Sequence, residues 1–176
     1  MQGIVLLKKR IIADKRGCFF EAYNKDTKKS LVDVLFKQSS ISISKKNVLR
    51  GMHYQFQQPM GKMINVIQGH IVEKILDVRK NSNTFGKIVT YEMNSSSDYS
   101  IYIPPGFAHG FLSLSDDTIV MYKQTAYYNP LGEGCINPLL SKLDFNWPIE
   151  KHRIIISEKD LNSPSFENYS KKRNKQ

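Results

Sequence analysis

The sequence predicts an all-β fold, an antiparallel sandwich or barrel of the jelly-roll kind with a few short helices. Short runs of β-branched and aromatic residues recur along the chain, and several of them alternate with period two. Glycines separate these runs at the spacing typical of turns. The predicted strands are residues 4–7, 11–12, 34–44, 63–67, 71–78, 88–93, 100–103, 111–114 and 118–128.

Alternation is clearest in the segment ISIS at residues 41–44. A strand there places Ile41 and Ile43 on one face of a sheet and the neighbouring serines on the other. This pattern is typical of a strand with one polar face, and it supports the sandwich or barrel.

Helical signals are sparse. Residues 26–34 predict one short helix with Asp26 as its N-cap. Residues 157–161 resemble a capping arrangement, with Ser157 ahead of Asp160. The helices are therefore expected to be minor parts of the fold.

The chain has 176 residues, of which 40% are apolar, and this favours one folded domain. We expect residues 1–165 to form that domain and residues 166–176 to be a basic, weakly ordered tail. The N-terminus carries its basic residues after its apolar ones, the reverse of a signal peptide, and no apolar run is long enough to cross a bilayer. A cytoplasmic protein that binds no membrane is therefore predicted.

The formal net charge is +10, yet 16 acidic residues are interspersed among 26 basic ones, and no nucleic-acid motif accompanies them. This pattern favours a small anion such as a nucleotide diphosphate, and not nucleic acid, as the partner of a basic pocket. Cys18 and Cys135 form no CxxC pair, so they are expected to be two buried thiols and not a disulfide.

Two segments place histidines among apolar residues and glycines: NVLRGMHYQ at residues 47–55 and YIPPGFAHGF at residues 102–111. Arg50 lies three residues before His53, and Lys62 follows a glycine. Alternate strand positions, Arg50 aside, point to one face, so such groups can line one concave surface. Burying cations beside an imidazole is costly unless an anion compensates, which points to an anionic substrate. The alternative is a core histidine satisfied by hydrogen bonds.

The tyrosines of MYKQTAYY at residues 121–128 also allow two interpretations. They are either packing residues or, for a phenol held near a reacting carbon, a general acid. A three-histidine metal site of His53, His70 and His109 is a further alternative. Because the sequence lacks the HxH pair of metal-binding barrels of the cupin type, no metal site is predicted.

Five segments follow one another along the chain: RGCFFEAYN, KKNVLRGMHYQ, GKMINVIQGHIVEKILDVRKNSNTFGK, YIPPGFAHGFLSLSD and YKQTAYYNPLGEG. In this order they resemble the dTDP-4-dehydrorhamnose 3,5-epimerase family, over about residues 10–161. The resemblance implies a cupin-like jelly-roll subunit, a homodimer, and neither metal nor other cofactor. It also implies that a nucleotide-linked 4-keto sugar is inverted at C3 and C5 by removal and return of protons.

The resemblance further implies a base, an acid and a cation in one site. His53 matches the base, and Asp160 of SEKD matches the acidic residue that orients it. Tyr122 matches the proton donor, and Lys62 matches the cation near the keto oxygen of the sugar. His109 matches a second pocket histidine.

Other matches concern substrate binding. Arg50 matches a contact to the diphosphate. In RGCFFE, Arg16, Glu21 and either Phe19 or Phe20 match residues at the nucleotide end, where part of this segment crosses to the partner subunit in the family. Further positions that match the pocket lining are Gln38, Tyr128, Glu133 and Lys159.

Three segments depart from the family pattern. Residues 138–140 read Pro-Leu-Leu where Trp-Asn-Asp is common, residues 38–40 read Gln-Ser-Ser in place of Gln-x-Asn, and Lys74 stands where an acid is common. All three lie where they would reshape the sugar or nucleotide site. They leave open an epimerase of a GDP-linked 4-keto sugar such as a heptose, or an enzyme that inverts only C3 or only C5. Two further classes compete with an epimerase: a non-catalytic sugar-nucleotide binding module and a metal-dependent cupin oxygenase.

Overall fold

Two β-sheets packed face to face make up most of the protein, for which a computed structural model describes residue 1, residues 3–25 and residues 34–173. The strands are β1 (Val5–Lys8), β2 (Ile11–Asp14), β3 (Gly17–Phe20), β4 (Gln38–Ser44), β5 (Val48–Gln55), β6 (Lys62–Gln68), β7 (His70–Asp77), β8 (Ile88–Asn94), β9 (Tyr99–Ile103), β10 (Phe107–Ser113), β11 (Thr118–Gln124), β12 (Glu133–Cys135) and β13 (Ile155–Ile156). The helical elements are a 3₁₀ turn (Lys151–Arg153), α1 (Glu158–Leu161) and α2 (Phe166–Arg173). No helix in these described ranges is long and apolar enough to cross a membrane.

From β4 to β12 consecutive strands alternate between the two sheets, except that β7 and β8 are neighbours in the second sheet. The first sheet has the order β1-β9-β6-β11-β4, and the second has the order β12-β5-β10-β7-β8, with β13 parallel to β5. Strands β4, β6, β9 and β11 thus belong to the first sheet, while β5, β7, β10 and β12 belong to the second. This alternation, together with antiparallel pairing of every strand in the two sheets except β13, confirms the predicted jelly roll. Strands β2 and β3 form a separate hairpin.

The core lies between the sheets and is made of residues that alternate along the strands. On β7, Ile71 and Ile75 are fully buried, and they pack with Ile64 of β6 and Phe111 of β10. Burying one such side chain contributes about 1.5–3 kcal/mol. Because the side-chain period of a strand is two, Glu73 shares this inward face with Ile71 and Ile75.

Most predicted strands are present, with shifted ends. The strand predicted for residues 34–44 begins at residue 38, the one predicted for 118–128 ends at residue 124, and the one predicted for 111–114 begins at residue 107. The start of β10 was missed because its glycines resemble a turn. Strand β4 confirms the predicted alternation, since the serine face is turned inward and the isoleucine face is exposed.

One of the two predicted helices is confirmed. Ser157 caps α1, and its Oγ accepts a hydrogen bond from the Asp160 N–H over 3.1 Å. The helix predicted for residues 26–34 lies outside the described residues except for Val34, which is in an irregular segment.

The C-terminal segment differs from the weakly ordered tail that was expected from residue 166. Residues 166–173 form α2, in which Phe166 and Tyr169 are buried on the outer face of the second sheet. Tyr169 Oη also donates to the Val78 carbonyl over 3.0 Å. The two aromatic residues are three positions apart, so one helical face carries both of them, while Lys171 is exposed.

Strands β5 and β10 approach each other closely at two glycines. A Cβ on Gly51 would lie 2.5 Å from Gly110 Cα and 2.8 Å from the His109 carbonyl oxygen, and Gly51 has a φ of +135°. The strand pairing shifts register between His109 and Phe111, at Gly110. The glycines that surround the two histidines in the sequence are therefore required by this contact.

Replacing Gly51 by alanine is expected to destabilise the fold more than the same change at Gly17. Gly17 has a similar φ of +129° but no atom within 4 Å of an added Cβ. Both variants lose about 1–3 kcal/mol to backbone strain, and only Gly51→Ala adds about 1–3 kcal/mol for overlap with Gly110. Urea-induced unfolding of the two variants measures the difference, and equal losses would contradict the proposed contact.

Candidate active site

A hollow of about 260 Å³ opens between the two sheets at one end of the core. Inward-facing positions change there from apolar to polar. On β6 the buried Ile64 is succeeded, towards the start of the strand, by Lys62, and on β11 the buried Val120 is succeeded, towards the end of the strand, by Tyr122. The hollow is lined by Ser40, Ile41, Ser42, Arg50, His53, Lys62, His109, Phe111, Tyr122 and Gln124. A second hollow of about 300 Å³ shares Arg50 and His53 with it and extends to Lys159 and Asp160.

A larger hollow of about 440 Å³ lies at the loop of residues 79–84, where three of the lining side chains, Arg79, Ser82 and Thr84, bind one buried carboxylate. The buried Asp77 carboxylate accepts hydrogen bonds from Arg79, Ser82 and Thr84 at distances of 2.5 to 2.9 Å. These bonds together outweigh the effect of burial and hold the pKa of Asp77 below its ordinary value. Such a self-satisfied cluster stabilises a loop, so the smaller hollow is the candidate site.

His53 and Asp160 form a hydrogen-bonded pair where the two smaller hollows meet. His53 Nε2 lies 2.7 Å from Asp160 Oδ1, and the Gly51 N–H donates to Asp160 Oδ2 over 3.3 Å. Burial opposes the charge of Asp160, but the hydrogen bonds from His53 and Gly51 outweigh it and lower the pKa of this carboxyl. An ionised carboxylate only accepts, so Nε2 carries the proton and Nδ1 keeps the lone pair. Nδ1 is therefore the atom that can accept a proton.

A second imidazole, His109, links Glu73 to Lys62. Its Nδ1 lies 2.8 Å from Glu73 Oε1, and its Nε2 lies 2.9 Å from Lys62 Nζ. An ammonium group only donates, so Nε2 accepts from Lys62 and the Nδ1–H donates to Glu73. This chain of contacts directs one of the three Lys62 N–H groups at His109 and fixes the position of the ammonium.

Burial shifts the pKa values of this chain of groups. It raises the pKa of Glu73 well above its ordinary range and lowers the pKa of His109 well below its own. It also lowers the pKa of Lys62 to about 8, against the attraction of Glu133 and Glu73. The protonation of Lys62 is thus sensitive to pH near neutrality, which is uncommon for a lysine.

Tyr122 supplies a protonated phenol to the hollow. Its Oη lies 3.2 Å from Ser42 Oγ, and burial raises the pKa of the phenol far above its ordinary value. Strand β11 belongs to the first sheet and β5 to the second, so Tyr122 and His53 line the hollow from opposite walls. The arrangement provides a proton acceptor on one side and a proton donor on the other.

Arg50 lies at the rim, where it contributes to both hollows. Its Nε donates to Ser44 Oγ over 3.0 Å, and its Nη2 donates to the Ile43 carbonyl over 3.2 Å. These bonds hold an exposed guanidinium beside the site, in a position to meet an anionic group.

The other predicted rim residues form one network. Tyr128 Oη donates to Glu133 Oε2 over 3.1 Å, and Lys159 Nζ forms an ion pair with the same oxygen. Gln38 Oε1 accepts from the Tyr128 N–H over 3.0 Å and Gln38 Nε2 donates to Ser40 Oγ over 3.1 Å, which joins the network to the wall of the hollow.

The predicted nucleotide-end residues lie away from both hollows. Arg16 pairs with Asp14 at 2.6 Å on the β2–β3 hairpin, and Arg16 and Phe19 line a separate surface hollow. Glu21 accepts from Asn24 Nδ2 over 2.8 Å. Within one chain, the structure therefore does not bring Arg16, Phe19 and Glu21 to His53.

Among the polar residues of the site that the sequence analysis missed are Ser42, Glu73 and Gln124. Glu73 alternates with buried isoleucines, and this parity is the signal that would have placed it inside the barrel. Gln124 lines the hollow and accepts from Ser40 Oγ over 2.9 Å. Gln124 lies in the quoted segment YKQTAYY, but its role depends on pairing between β11 and β4, which the segment alone does not show.

The cysteine prediction is correct for Cys135 and wrong for Cys18. Cys135 is buried, and its Sγ lies 3.5 Å from Asp160 Oδ1. Cys18 is exposed, because the β2–β3 hairpin has no core of its own to cover it.

Only one of the three departures from the family pattern reaches the hollow. Ser40 lines it, as part of the segment at residues 38–40. The Lys74 side chain lies on the opposite face of β7, where it donates to Thr90 Oγ1 over 2.9 Å and packs against the Trp147 ring. Residues 138–140 belong to a different surface region. The expectation that all three reshape the site is wrong for the last two.

The three histidines considered for a metal site do not converge. His53 and His109 are opposite each other on β5 and β10, but His70 begins β7 and pairs with Glu92 at 2.7 Å. The residue of β7 that lies opposite His109 is Ile75, which is five positions after His70 along that strand.

Comparison with known proteins gives the family. A sequence model described as dTDP-4-dehydrorhamnose 3,5-epimerase matches residues 1–168. A dTDP-4-dehydrorhamnose 3,5-epimerase of Methanothermobacter thermautotrophicus is 38% identical over 164 residues, which are 92% of this chain and 89% of that protein.

Solved structures agree with this match. The dTDP-4-dehydrorhamnose 3,5-epimerase of Sulfolobus tokodaii is 43% identical, with a TM-score of 0.85 over 95% of this chain and 92% of that one. A dTDP-6-deoxy-D-glucose-3,5-epimerase of Legionella pneumophila, in complex with dTDP-4-keto-L-rhamnose, is 34% identical, with a TM-score of 0.88 over 94% of this chain and 88% of that one. The chain therefore belongs to the dTDP-4-dehydrorhamnose 3,5-epimerase family.

Proposed function

We propose that this protein is a dTDP-4-dehydrorhamnose 3,5-epimerase, an isomerase that inverts C3 and C5 of dTDP-4-dehydro-6-deoxyglucose. The family membership supports the reaction. The observation that carries the proposal is that an imidazole base and a protonated phenol line opposite walls of one hollow. Inversion of a carbon centre requires a proton to leave one face of the sugar ring and another to arrive on the opposite face.

The keto group at C4 makes this chemistry accessible. It acidifies the hydrogens at C3 and C5, because loss of either leaves an enolate with its charge on the C4 oxygen. His53 Nδ1 takes the proton, and the imidazolium that forms is stabilised by Asp160 at 2.7 Å. Tyr122 then donates its phenolic proton to the opposite face of the same carbon. Return of the proton from His53 to Tyr122 through solvent resets the site for the second centre.

Lys62 stabilises the charge that develops on the C4 oxygen. A cation held in a fixed position inside a buried site acts on such charge without reorganising solvent. His109 and Glu73 are positioning residues in this scheme, because they act on Lys62 through the two hydrogen bonds of 2.9 and 2.8 Å. The proposed reaction uses side chains of this chain and no cofactor.

The nucleotide is proposed to be dTDP, by analogy with the relatives, whose names specify dTDP sugars. Arg50 and Lys159 border the second hollow and offer two cations to the diphosphate. Since two of the three departures lie away from the hollows, they give no reason to prefer a GDP-linked sugar. Ser40 remains the one departure able to change the fit of the substrate.

We also propose that residues 1–165 are the catalytic domain and that the C-terminal residues support it through α2. Phe166 and Tyr169 pack on the outer face of the second sheet, opposite to the hollow. The segment therefore stabilises the sheet without contributing to the chemistry.

A homodimer is proposed as the functional form, with the β2–β3 hairpin reaching the site of the partner subunit. The hairpin exposes Ile12 by 53% and Phe19 by 66%, and the outer face of edge strand β4 exposes Ile41 and Ile43. Such apolar surface is typical of an interface. A second subunit would also bring Arg16, Phe19 and Glu21 to a nucleotide, which they do not meet within their own chain.

In D₂O the protein is expected to place deuterium at both C3 and C5 of the dTDP-linked 4-keto sugar, as measured by NMR. His53→Ala should lower turnover by about 10²–10⁴-fold, since it removes the general base. Tyr122→Phe should retain exchange at C3 and block net inversion. His152→Ala, a change at an exposed histidine of the 3₁₀ turn, is the matched control and should turn over normally.

Other outcomes of this experiment identify the alternatives. Label at one carbon alone would indicate a single-centre epimerase, and tight binding without exchange would indicate a non-catalytic binding module. Activity on a GDP-linked 4-keto sugar and none on the dTDP sugar would overturn the proposed nucleotide. Normal turnover by both His53→Ala and Tyr122→Phe would remove the proposed roles.

The value of kcat/KM is expected to fall as the pH rises through about 8, because Lys62 loses its positive charge there. Glu133→Gln removes the carboxylate that most raises the Lys62 pKa, so the fall should move to lower pH. Lys87→Arg, at an exposed lysine, is the control and should leave the profile in place. An unshifted profile in Glu133→Gln would show that the fall near pH 8 does not report Lys62.

If the hairpin completes the partner's site, two inactive variants should restore each other. In a mixture of His53→Ala and Arg16→Ala subunits, one site of each mixed dimer combines an intact His53 with an intact Arg16 of the other subunit. Activity should therefore reappear after the subunits are mixed by mild dissociation, in a species that light scattering identifies as a dimer. A monomer, or a mixture as inactive as its parts, would contradict this arrangement.

A further inference from the structure

Cys135 adds a third metal-binding side chain to the pair formed by His53 and Asp160. In the pairing of β12 with β5, Cys135 is directly opposite His53. The Cys135 Sγ lies 3.5 Å from Asp160 Oδ1, and His53 Nε2 lies 2.7 Å from the same oxygen. One ligand atom from each of the three residues lies within 4.8 Å of the other two.

These separations are close to those of a zinc site. Zinc binds sulfur at about 2.3 Å and nitrogen or oxygen at about 2.0–2.2 Å, so tetrahedral ligands are roughly 3.3–3.7 Å apart. The distance between Cys135 Sγ and Asp160 Oδ1 already has that value. The distance between His53 Nε2 and Asp160 Oδ1 needs to open by only about 0.7 Å.

The donor set also fits the charge and softness of a thiophilic cation. A thiolate and a carboxylate neutralise a divalent ion, while the imidazole adds a neutral nitrogen, the ligand set favoured by Zn²⁺ over Mg²⁺ or Ca²⁺. The Gly51 N–H bonds Asp160 Oδ2, and Ser157 caps the helix that carries Asp160, so the carboxylate is held in place by its surroundings.

An ion could reach these ligands from solvent. Asp160 and Cys135 are buried, but the His53 side chain is 25% exposed, and the hollow of about 300 Å³ is lined by both His53 and Asp160. Without a metal, burial raises the pKa of the Cys135 thiol to about 12, so the thiol stays protonated beside the carboxylate. The ion would replace that proton.

We propose that His53, Asp160 and Cys135 form an inhibitory site for a thiophilic divalent cation, with Zn²⁺ as its representative. The proposal rests on the proposed function, in which His53 is the base. Binding would release the thiol proton to solvent and move the imidazole proton from Nε2, which becomes a ligand, to Nδ1. Because Nδ1 is the atom that accepts the proton of the sugar, the metal-bound enzyme is inactive until the metal is removed.

Cobalt and zinc test this site on the full-length protein after reduction and treatment with a chelator. Co²⁺ is expected to produce the near-ultraviolet absorption band of a cobalt–thiolate bond, and Zn²⁺ should abolish the band by displacement. Cys135→Ser should lack the band and show at least tenfold weaker inhibition by Zn²⁺, measured relative to its own uninhibited turnover. The matched control is Cys18→Ser, which removes the exposed thiol and should behave as the parent, and Mg²⁺ should not inhibit.

The outcomes separate the proposed metal site from the proposed role of His53 as the base. Absence of the band in the parent, or an equal band in Cys135→Ser, overturns the metal site whatever the activity. A band that depends on Cys135 with no effect of Zn²⁺ on turnover keeps the metal site and rejects His53 as the base. Should Cys135→Ser fail to fold, Cys135→Ala gives the same comparison.

Discussion

The contact between β5 and β10 at Gly51 and Gly110 is the constraint on which the site depends. Without side chains at these positions, the strands approach to a distance that a single Cβ would prevent. This approach sets His53 opposite His109, and the Gly51 N–H is free to bind Asp160 Oδ2. Two imidazoles with different partners thus lie side by side in one hollow, one paired with an ionised carboxylate and the other bound to an ammonium.

Burial then gives each group its chemical character. Removing charge from water costs several kcal/mol unless a partner compensates, and here the partners are supplied unequally. Asp160 receives enough hydrogen bonds to lower its pKa, whereas burial dominates for Lys62 and for the Tyr122 phenol. A base with its orienting carboxylate, a cation that titrates near neutrality and a phenol that keeps its proton all follow from differences in burial and hydrogen bonding. The same crowding brings Cys135 to the carboxylate.

The sequence analysis anticipated the groups that short motifs mark, and it was least successful where a role depends on a partner strand. The resemblance supplied His53, Lys62 and Tyr122, and all three line one hollow. It did not supply Glu73. The charge order of IVEKILD was interpreted as a departure centred on Lys74, but the strand period turns Glu73 inward and Lys74 outward. Which of two adjacent charged residues enters a barrel is decided by the facing sheet, because only one face can be buried.

The sequence by itself determined the all-β class, the alternation of β4, the cap of α1 and the family. These features depend on the period of apolar residues along a strand, on hydrogen bonds between residues close in the chain, and on short sequence motifs. Only the tertiary structure decided that Cys135 lies opposite His53, that Gln124 lines the hollow, and that Phe166 and Tyr169 fasten the C-terminal segment to the outer sheet. The physical reason is that strand register and layer packing join residues far apart in the chain. The free energy that selects those contacts comes from burial, which no local pattern records.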